Sequence, residues 1–87
     1  MEYQIRIKKS AIKELSKLPK SIAIKVSRVI DGFKTDACPK GYKKLKGSEN
    51  DYRVRIGDYR ILYSIHDDVL IIEVVKIAHR KDAYKKR

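Results

Sequence analysis

Several features that mark particular classes of protein are missing from this chain. Its single cysteine, Cys38, excludes an intrachain disulfide and leaves no second thiol for a zinc site. No apolar run approaches the length of a membrane span, and the N-terminal residues contain no apolar segment of a signal peptide. We therefore expect a protein of the reducing cytoplasm that does not enter the membrane.

Acidic residues are also scarce. The chain has 11 Asp and Glu residues against 22 Lys and Arg residues, which gives a formal charge of +11. This excess predicts a partner rich in phosphate, with an anionic membrane surface or an acidic protein as weaker candidates. A well-solvated basic surface without such a partner is the remaining interpretation. With 87 residues, of which 43% are hydrophobic, we expect one folded domain over residues 1–87.

The spacing of apolar residues predicts two helices and four strands. Alternation indicates strands near 3–7, at 52–56 and at 59–66. A run that is apolar on both sides indicates a central strand at 69–77, joined to the preceding strand by a two-residue turn at 67–68. Ser10 and Ser21 are the predicted N-caps of the helices, and Pro19 separates them. The expected fold is α+β in the order β-α-α-β-β-β. A helical hairpin would pack on one face of a small, mainly antiparallel sheet.

Residues 52–63 (YRVRIGDYRILY) predict a β-hairpin with a cationic face. A two-residue turn at 57–58 places Arg55 directly opposite Arg60, and Arg53 diagonally from Arg60. Like charges that face each other across a strand pair repel, so we interpret this face as a binding surface for an anion such as phosphate.

Two further basic segments are predicted to converge on this face: the long connection between the helices and the hairpin, and the C-terminal tail. Their candidate residues are Lys43, Lys44 and Lys46 in the connection and His79, Arg80, Lys81 and Tyr84 in the tail. Taken singly, a lysine run is often a solvated loop, and one histidine or tyrosine near a terminus is often a surface or packing residue. Their convergence is what favours a nucleic-acid site.

The chemistry open to this surface is limited by what the sequence lacks. It has no glycine-rich phosphate loop and no carboxylates spaced to hold Mg²⁺, so we expect neither a metal nor a cofactor. The accessible reaction is then attack by the 2′-hydroxyl of RNA on its adjacent phosphate. It needs a base, cationic donors for the phosphorane and an acid for the leaving 5′-oxygen. Arginine forks suit the second task, Tyr84 is the candidate base, and Arg80 or His79 is the candidate acid.

Four segments support these predictions together: residues 11–18 (AIKELSKL), 44–47 (KLKG), 52–63 (YRVRIGDYRILY) and 77–84 (IAHRKDAY). With the predicted order of elements, they resemble the RelE/ParE superfamily of toxins from bacterial and archaeal toxin–antitoxin pairs. The resemblance covers nearly the whole chain and implies a RelE-like microbial ribonuclease fold.

The resemblance implies a specific activity. RelE-type members enter the ribosomal A site and cleave mRNA there without a metal, which inhibits translation. By motif, their working residues fall on Arg53, Arg55, Arg60, Arg80 and Tyr84. Arg60 and Arg80 would hold the phosphate, and Tyr84 would contribute to activation of the 2′-hydroxyl. The pair on the first hairpin strand is often lysine in the best-known branch. Because arginine holds its proton more tightly, electrostatic stabilisation is the role expected for it here.

Partners follow from the same resemblance. They are the ribosome with its mRNA, and a cognate antitoxin whose acidic amphipathic segment covers the basic groove. Two other functions stay open: a ParE-like toxin that inhibits DNA gyrase without nuclease activity, and a non-catalytic RNA-binding module with a steep salt dependence. Gyrase-directed members generally lack the arginine and tyrosine set represented here by Arg60, Arg80 and Tyr84.

Overall fold

The computed structural model describes residues 2–39, 41–47 and 49–79. Its elements are β1 (Gln4–Ile7), α1 (Lys9–Ser16), α2 (Lys20–Gly32), β2 (Tyr42–Lys44), β3 (Asp51–Ile56), β4 (Tyr59–His66) and β5 (Ile71–His79). The strands form one sheet in the order β1-β5-β4-β3-β2. Strand β1 runs parallel to β5, and the other neighbours are antiparallel. The predicted α+β class and mainly antiparallel sheet are therefore confirmed.

The sheet contains one strand more than the apolar pattern predicted. The additional strand is β2, which lies within the long connection and pairs with β3 through Lys43 opposite Arg53. All three residues of β2 are exposed, so the strand has no buried face and shows no alternation of apolar and polar residues. The predicted order was therefore short by one strand at the edge of the sheet.

The last strand begins two residues later than predicted. His66 pairs with Ile71, so residues 67–70 form a four-residue loop and the predicted two-residue turn is wrong. Leu70 in this loop has a φ of +53°, and its carbonyl accepts a hydrogen bond of 2.8 Å from the backbone N–H of Gln4. Docking of the loop on β1 explains why the chain turns later than two aspartates alone suggest. Because the loop is longer by an even number of residues, Ile72 and Val74 keep the inward orientation that a two-residue turn would give them. Beyond them, Val75 is the extra residue of a β-bulge, so Ile77 rather than Lys76 faces the core.

Both helices begin without the predicted serine caps. Helices α1 and α2 start directly after Lys8 and Pro19, and neither start has a side-chain cap hydrogen bond. Ser10 and Ser21 lie inside the first turns. The backbone N–H of Lys8 still donates to the carbonyl of Val74, at 3.0 Å, so the chain passes from the sheet into α1 with only Lys8 between β1 and the helix. The predicted break at Pro19 is confirmed.

The helices cover one face of the sheet and enclose the core. Its members are Ala11, Val26, Ile30 and Phe33 from the helical part and Val54, Ile56, Ile61, Tyr63, Ile65, Ile72, Val74 and Ile77 from the strands. Since side chains of a strand alternate between faces, the arginines of β3 and β4 point away from the helices. Among the described residues, no helix is long and apolar enough to cross a membrane.

Strand β5 extends beyond β1, and a side chain of α1 covers the edge left open. Pairing of β1 with β5 ends at Ile7 opposite Val74. Further along β5, the Glu14 carboxylate accepts a hydrogen bond from the backbone N–H of Ile77 at 2.8 Å and lies 3.4 Å from the Nζ of Lys76. Glu14 thus provides an acceptor for the backbone N–H of Ile77, which lies beyond the end of β1. This hydrogen bond fixes α1 against the part of β5 next to Arg60.

Candidate active site

The hairpin of β3 and β4 brings three arginines to one face of the sheet, called the arginine face here: Arg53, Arg55 and Arg60. The register pairs Arg55 with Arg60 and Arg53 with Leu62, as the sequence predicted. Gly57, the first turn residue, has a φ of +57°, the left-handed conformation that a two-residue turn beginning with glycine requires. The register of the arginines therefore depends on this glycine.

Arg60 is buried, which the sequence did not predict. It is 8% exposed, whereas Arg53 is half-buried and Arg55 is exposed. Its Nη1 donates to the carbonyl of Tyr59 at 3.3 Å, but its Nε has no hydrogen-bond partner among the described residues. A buried cation without a matched acceptor is energetically costly. The position is therefore one where an incoming anion would recover part of that cost.

The three arginines form no ion pair with a carboxylate among the described residues. Within the described ranges, the one ion pair joins Glu14 to Lys76, at the seam between α1 and β5. None of Arg53, Arg55 and Arg60 takes part in it. The cationic face therefore keeps its charge available for a ligand, in accord with the net charge of +11.

The lysines of the connection divide between the two faces of the sheet. Lys43 is opposite Arg53 and shares the arginine face, whereas Lys44 is opposite Tyr52 and lies on the helix side. Lys46 is exposed beyond the end of β2. Of the three predicted RNA-contacting lysines, the structure thus brings Lys43 next to the arginines and directs Lys44 away from them.

His79 is the last described residue of β5, and it is placed on the helix side of the sheet. Its neighbour Ala78 pairs with Arg60, while His79 itself pairs with Tyr59, and the two rings meet edge to face with centroids 5.3 Å apart. Alternation along β5 therefore separates His79 from the arginine face. The remaining predicted residues, Arg80, Lys81 and Tyr84, lie outside the described residues.

One residue near the arginines, Asp51, was not predicted from the sequence to lie on their face. Asp51 begins β3, and its Oδ1 accepts a hydrogen bond of 2.6 Å from the Ser64 hydroxyl. It shares the parity of Arg53, so continuing the alternation back by one step would have placed it on the arginine face. Leu62, opposite Arg53, adds an apolar side chain to the same surface.

Tyr63, on the helix side of β4, belongs to the core and is not available as a general base. Tyr63 is 1% exposed, and its hydroxyl donates to the carbonyl of Ala37 at 2.8 Å. Burial, reinforced by the nearby Cys38 thiol and Tyr52 phenol, raises the pKa of Tyr63 far above its ordinary value. Its phenol therefore stays protonated and serves the core. Among the described residues, no three His, Cys, Asp or Glu side chains are grouped as metal ligands would be.

Comparison with known proteins agrees with this architecture. The sequence profile of the ParE toxin of type II toxin–antitoxin systems matches residues 5–84. RelE1 of Methanocaldococcus jannaschii, named as a toxin, is 41% identical over 88 residues, with 98% of each chain covered. A chain of the archaeal RelE–RelB complex from Pyrococcus horikoshii superposes with a TM-score of 0.83 at 31% identity, covering 95% of this chain and 100% of that chain.

A second archaeal structure gives the same result. A chain of the RelB–RelE antitoxin–toxin complex from Methanococcus jannaschii superposes with a TM-score of 0.79 at 27% identity, over 94% of this chain and 98% of that chain. The sequence match and the shared fold extend over nearly the entire length, in agreement with the resemblance seen in the motifs. The chain therefore belongs to the RelE/ParE superfamily of toxins from type II toxin–antitoxin systems.

Proposed function

We propose that this toxin is a ribosome-dependent, metal-independent endoribonuclease that cuts mRNA in the A site. The observation that supports this most is the buried guanidinium of Arg60, with Arg55 opposite and an Nε that has no partner in the described part of the chain. Guanidinium groups match the geometry of phosphate oxygens and form paired hydrogen bonds with them. A surface that only needed positive charge for solubility would keep its arginines exposed and solvated.

In the proposed reaction, the ribose 2′-oxygen attacks the adjacent phosphorus, and the bond from phosphorus to the 5′-oxygen breaks. The products are a 2′,3′-cyclic phosphate and a free 5′-hydroxyl. Arg60 and Arg80 hold the phosphate, while Arg53 and Arg55 stabilise the negative charge that develops on the phosphorane. Tyr84, as a phenolate stabilised by the surrounding cations, takes the proton of the 2′-hydroxyl, and Arg80 donates a proton to the departing 5′-oxygen.

The proposal gives His79 no direct part in proton transfer. Its pairing with Tyr59, across β5 from the arginine face, favours a role in holding the end of the strand. Lys43, beside Arg53, is the lysine best placed to contact the RNA backbone, and Lys46 and Lys81 extend the basic surface. These contacts add affinity that falls steeply with salt.

The same proposal includes two partners and a compartment. The similar structures from Pyrococcus horikoshii and Methanococcus jannaschii are complexes of RelE with RelB. We infer that a cognate antitoxin likewise covers the basic groove of this chain with an acidic amphipathic segment. The arginine face is sparse in acid and base groups, so the ribosome would order the mRNA on it. Such a toxin acts in the cytoplasm, where ribosomes are.

The test is primer extension on a defined mRNA in a purified translation system, with and without ribosomes. Cuts within A-site codons that need both the toxin and ribosomes are expected. Arg80→Ala and Tyr84→Phe should each lower the cleavage rate by about 10²–10³-fold while antitoxin binding stays intact. Exposed Arg28 on α2 provides the matched control, Arg28→Ala. Intact mRNA in every arm contradicts the nuclease, and wild-type rates in both variants contradict the residue assignment.

Inhibition of DNA gyrase is a second candidate, because the profile that matches residues 5–84 is that of the ParE toxin. In that case the arginine face would serve binding only. A supercoiling assay with purified gyrase separates the two functions. Loss of supercoiling together with intact mRNA favours gyrase. RNA binding with neither effect would identify a non-catalytic RNA-binding module.

A further inference from the structure

Strand β2 presents an exposed tyrosine at the edge of the sheet, on the helix side. Tyr42 is opposite Val54, whose side chain is buried in the core, so the two side chains point to the same side of the sheet. Tyr42 itself is 45% exposed. The helices that cover the centre of the sheet therefore leave this ring open to a ligand.

The ring of Tyr42 is the outermost of four aromatic rings that contact one another in series. Its centroid lies 6.2 Å from that of Tyr52, which lies 5.9 Å from that of Tyr63. Tyr63 in turn lies 4.3 Å from Phe33, and both of these side chains are fully buried. Aromatic rings at such separations attract one another. The exposed ring thus rests on a packed column that begins in the core.

The backbone around Tyr42 is held at both ends of the strand. Its N–H donates to the carbonyl of Pro39 at 3.0 Å, and Gly41, just before it, has a φ of +91°. After the strand, the N–H of Leu45 donates to the carbonyl of Asp51 at 2.9 Å. The ring is therefore in position before any ligand arrives, and a preorganised group loses little conformational freedom on binding.

A lysine lies beside this ring. Lys44 is opposite Tyr52, the residue whose ring contacts that of Tyr42, so it shares their side of the sheet. Residues two apart on a strand are separated by about 7 Å, which the length of a lysine side chain can span. Lys44 is exposed, and in the part of the chain that the structure describes it takes part in no ion pair. Its charge is therefore available at the open face of the ring.

We propose that Tyr42 and Lys44 form a second RNA-binding site, separate from the arginine face. The base of an unpaired nucleotide stacks on the Tyr42 ring, and a neighbouring phosphate contacts the Lys44 ammonium. Aromatic platforms combined with cations are the usual means by which proteins hold single-stranded RNA. The inference goes beyond the cleavage proposed above and does not depend on it, because binding at this site involves no chemical step.

Charge and shape favour RNA over an acidic peptide as the occupant. Lys43 and Lys44 point to opposite faces of β2, so an RNA that leaves the arginine face across this edge meets a second cation on the helix side. An acidic peptide would also be attracted to Lys44. The flat exposed ring of Tyr42 is better covered by a planar base than by an aliphatic side chain. A peptide is therefore the competing occupant that the experiment has to separate.

Three variants test the site while the arginines stay in place. Tyr42→Phe keeps the ring, whereas Tyr42→Leu keeps an apolar side chain but removes the ring. Lys44→Ala removes the cation. Helix α2 has an exposed isoleucine and an exposed lysine, which provide the matched controls Ile24→Ala and Lys25→Ala. Thermal melting confirms that each variant folds.

The first readout is fluorescence anisotropy with a short labelled 2′-O-methyl oligoadenylate, which has no free 2′-hydroxyl and cannot be cut. The same backbone without bases is the comparison ligand. Tyr42→Leu should weaken binding of the oligoadenylate by about tenfold and leave the abasic ligand unchanged, while Tyr42→Phe matches wild type. Lys44→Ala should weaken both ligands and lower the slope of log Kd against log salt concentration by about 0.7. Both controls should bind as wild type. Wild-type affinities in Tyr42→Leu and Lys44→Ala would overturn the inference.

Cosedimentation with ribosomes, with and without mRNA in the A site, then identifies the source of the RNA. Weaker binding of Tyr42→Leu to empty ribosomes assigns the site to ribosomal RNA, and weaker binding only to loaded ribosomes assigns it to mRNA. Wild-type binding to both overturns the inference, and weaker capture of the purified cognate antitoxin by the same variant would then assign the surface to a protein. None of these measurements requires cleavage, so a failure of the nuclease proposal is recognised separately.

Discussion

On the helix side of strand β4, the side chains of Ile61, Tyr63 and Ile65 are buried. The Tyr63 hydroxyl donates a hydrogen bond to the backbone carbonyl of Ala37. On its other side, Arg60 is buried to a similar degree, yet its Nε has no partner among the described residues. The same strand thus contributes satisfied groups to one face and an unsatisfied cation to the other. The difference indicates that the helix side provides the stability of the fold, whereas the buried cation of the arginine face costs some stability, as expected of the anion site proposed above.

Arg60→Met is the change with the largest expected effect, and it separates the two faces most clearly. Methionine keeps much of the side-chain volume but removes a buried charge without a matched acceptor, so the free energy of unfolding should stay equal or rise. Cleavage in the ribosomal assay should fall by about 10²–10³-fold, since one electrostatic contact to the transition state is lost. The measurements are urea unfolding and primer extension on the same preparation. A large loss of stability would show that Arg60 supports the fold, which would contradict the conclusion that stability comes from the helix side alone.

The arginine register could be predicted from sequence because few physical rules determine it. A glycine at the first turn position fixes a two-residue loop, and alternation then assigns every side chain of both strands to a face. Any other loop length would have moved Arg55 away from Arg60. The observed pairing of these arginines agrees with the prediction.

Other features depend on contacts between segments distant in sequence, which alternation and capping patterns do not record. Burial of Arg60 depends on the whole surroundings of β4, and the hydrogen bond from Ile77 to Glu14 joins residues 63 positions apart. The bulge at Val75 likewise follows from fitting β5 between two neighbours.

Glu14→Ala is expected to have the next largest effect, at the seam between the two faces. It removes the acceptor for the backbone N–H of Ile77 and the partner of Lys76, so the free energy of unfolding should fall by about 1.5–3 kcal/mol. Glu14→Gln retains an oxygen acceptor and loses only the half-exposed ion pair, which costs at most about 1 kcal/mol. Urea unfolding measures both, with exposed Glu49→Ala as the control.

Cleavage of mRNA by the Glu14→Ala variant shows whether the two faces of the sheet act independently. Glu14 holds β5 where Ala78 pairs with Arg60, but its bonds are to Ile77 and Lys76 rather than to the three arginines. At temperatures where the variant is folded, we expect cleavage per folded molecule to match the wild type. A loss of cleavage larger than the loss of folded protein would mean that the two faces are mechanically coupled through β5.

Tyr63→Phe is expected to have the smallest effect, and it is confined to the helix side. Loss of the hydrogen bond to the Ala37 carbonyl should lower the free energy of unfolding by about 1 kcal/mol near neutral pH, with cleavage unchanged.

The pKa of Tyr63 is raised in the folded state, so the contribution of its neutral phenol to stability is complete below the unfolded pKa of about 10 and is lost as the pH rises above that value. Phenylalanine has no proton to lose, so the stability gap between wild type and variant should shrink in alkaline solution. Urea unfolding of both proteins across this pH range measures the gap. A gap that stays constant to high pH would show that the phenol of Tyr63 ionises as readily when folded as when unfolded, and that the helix side is less completely shielded from water than its packing indicates.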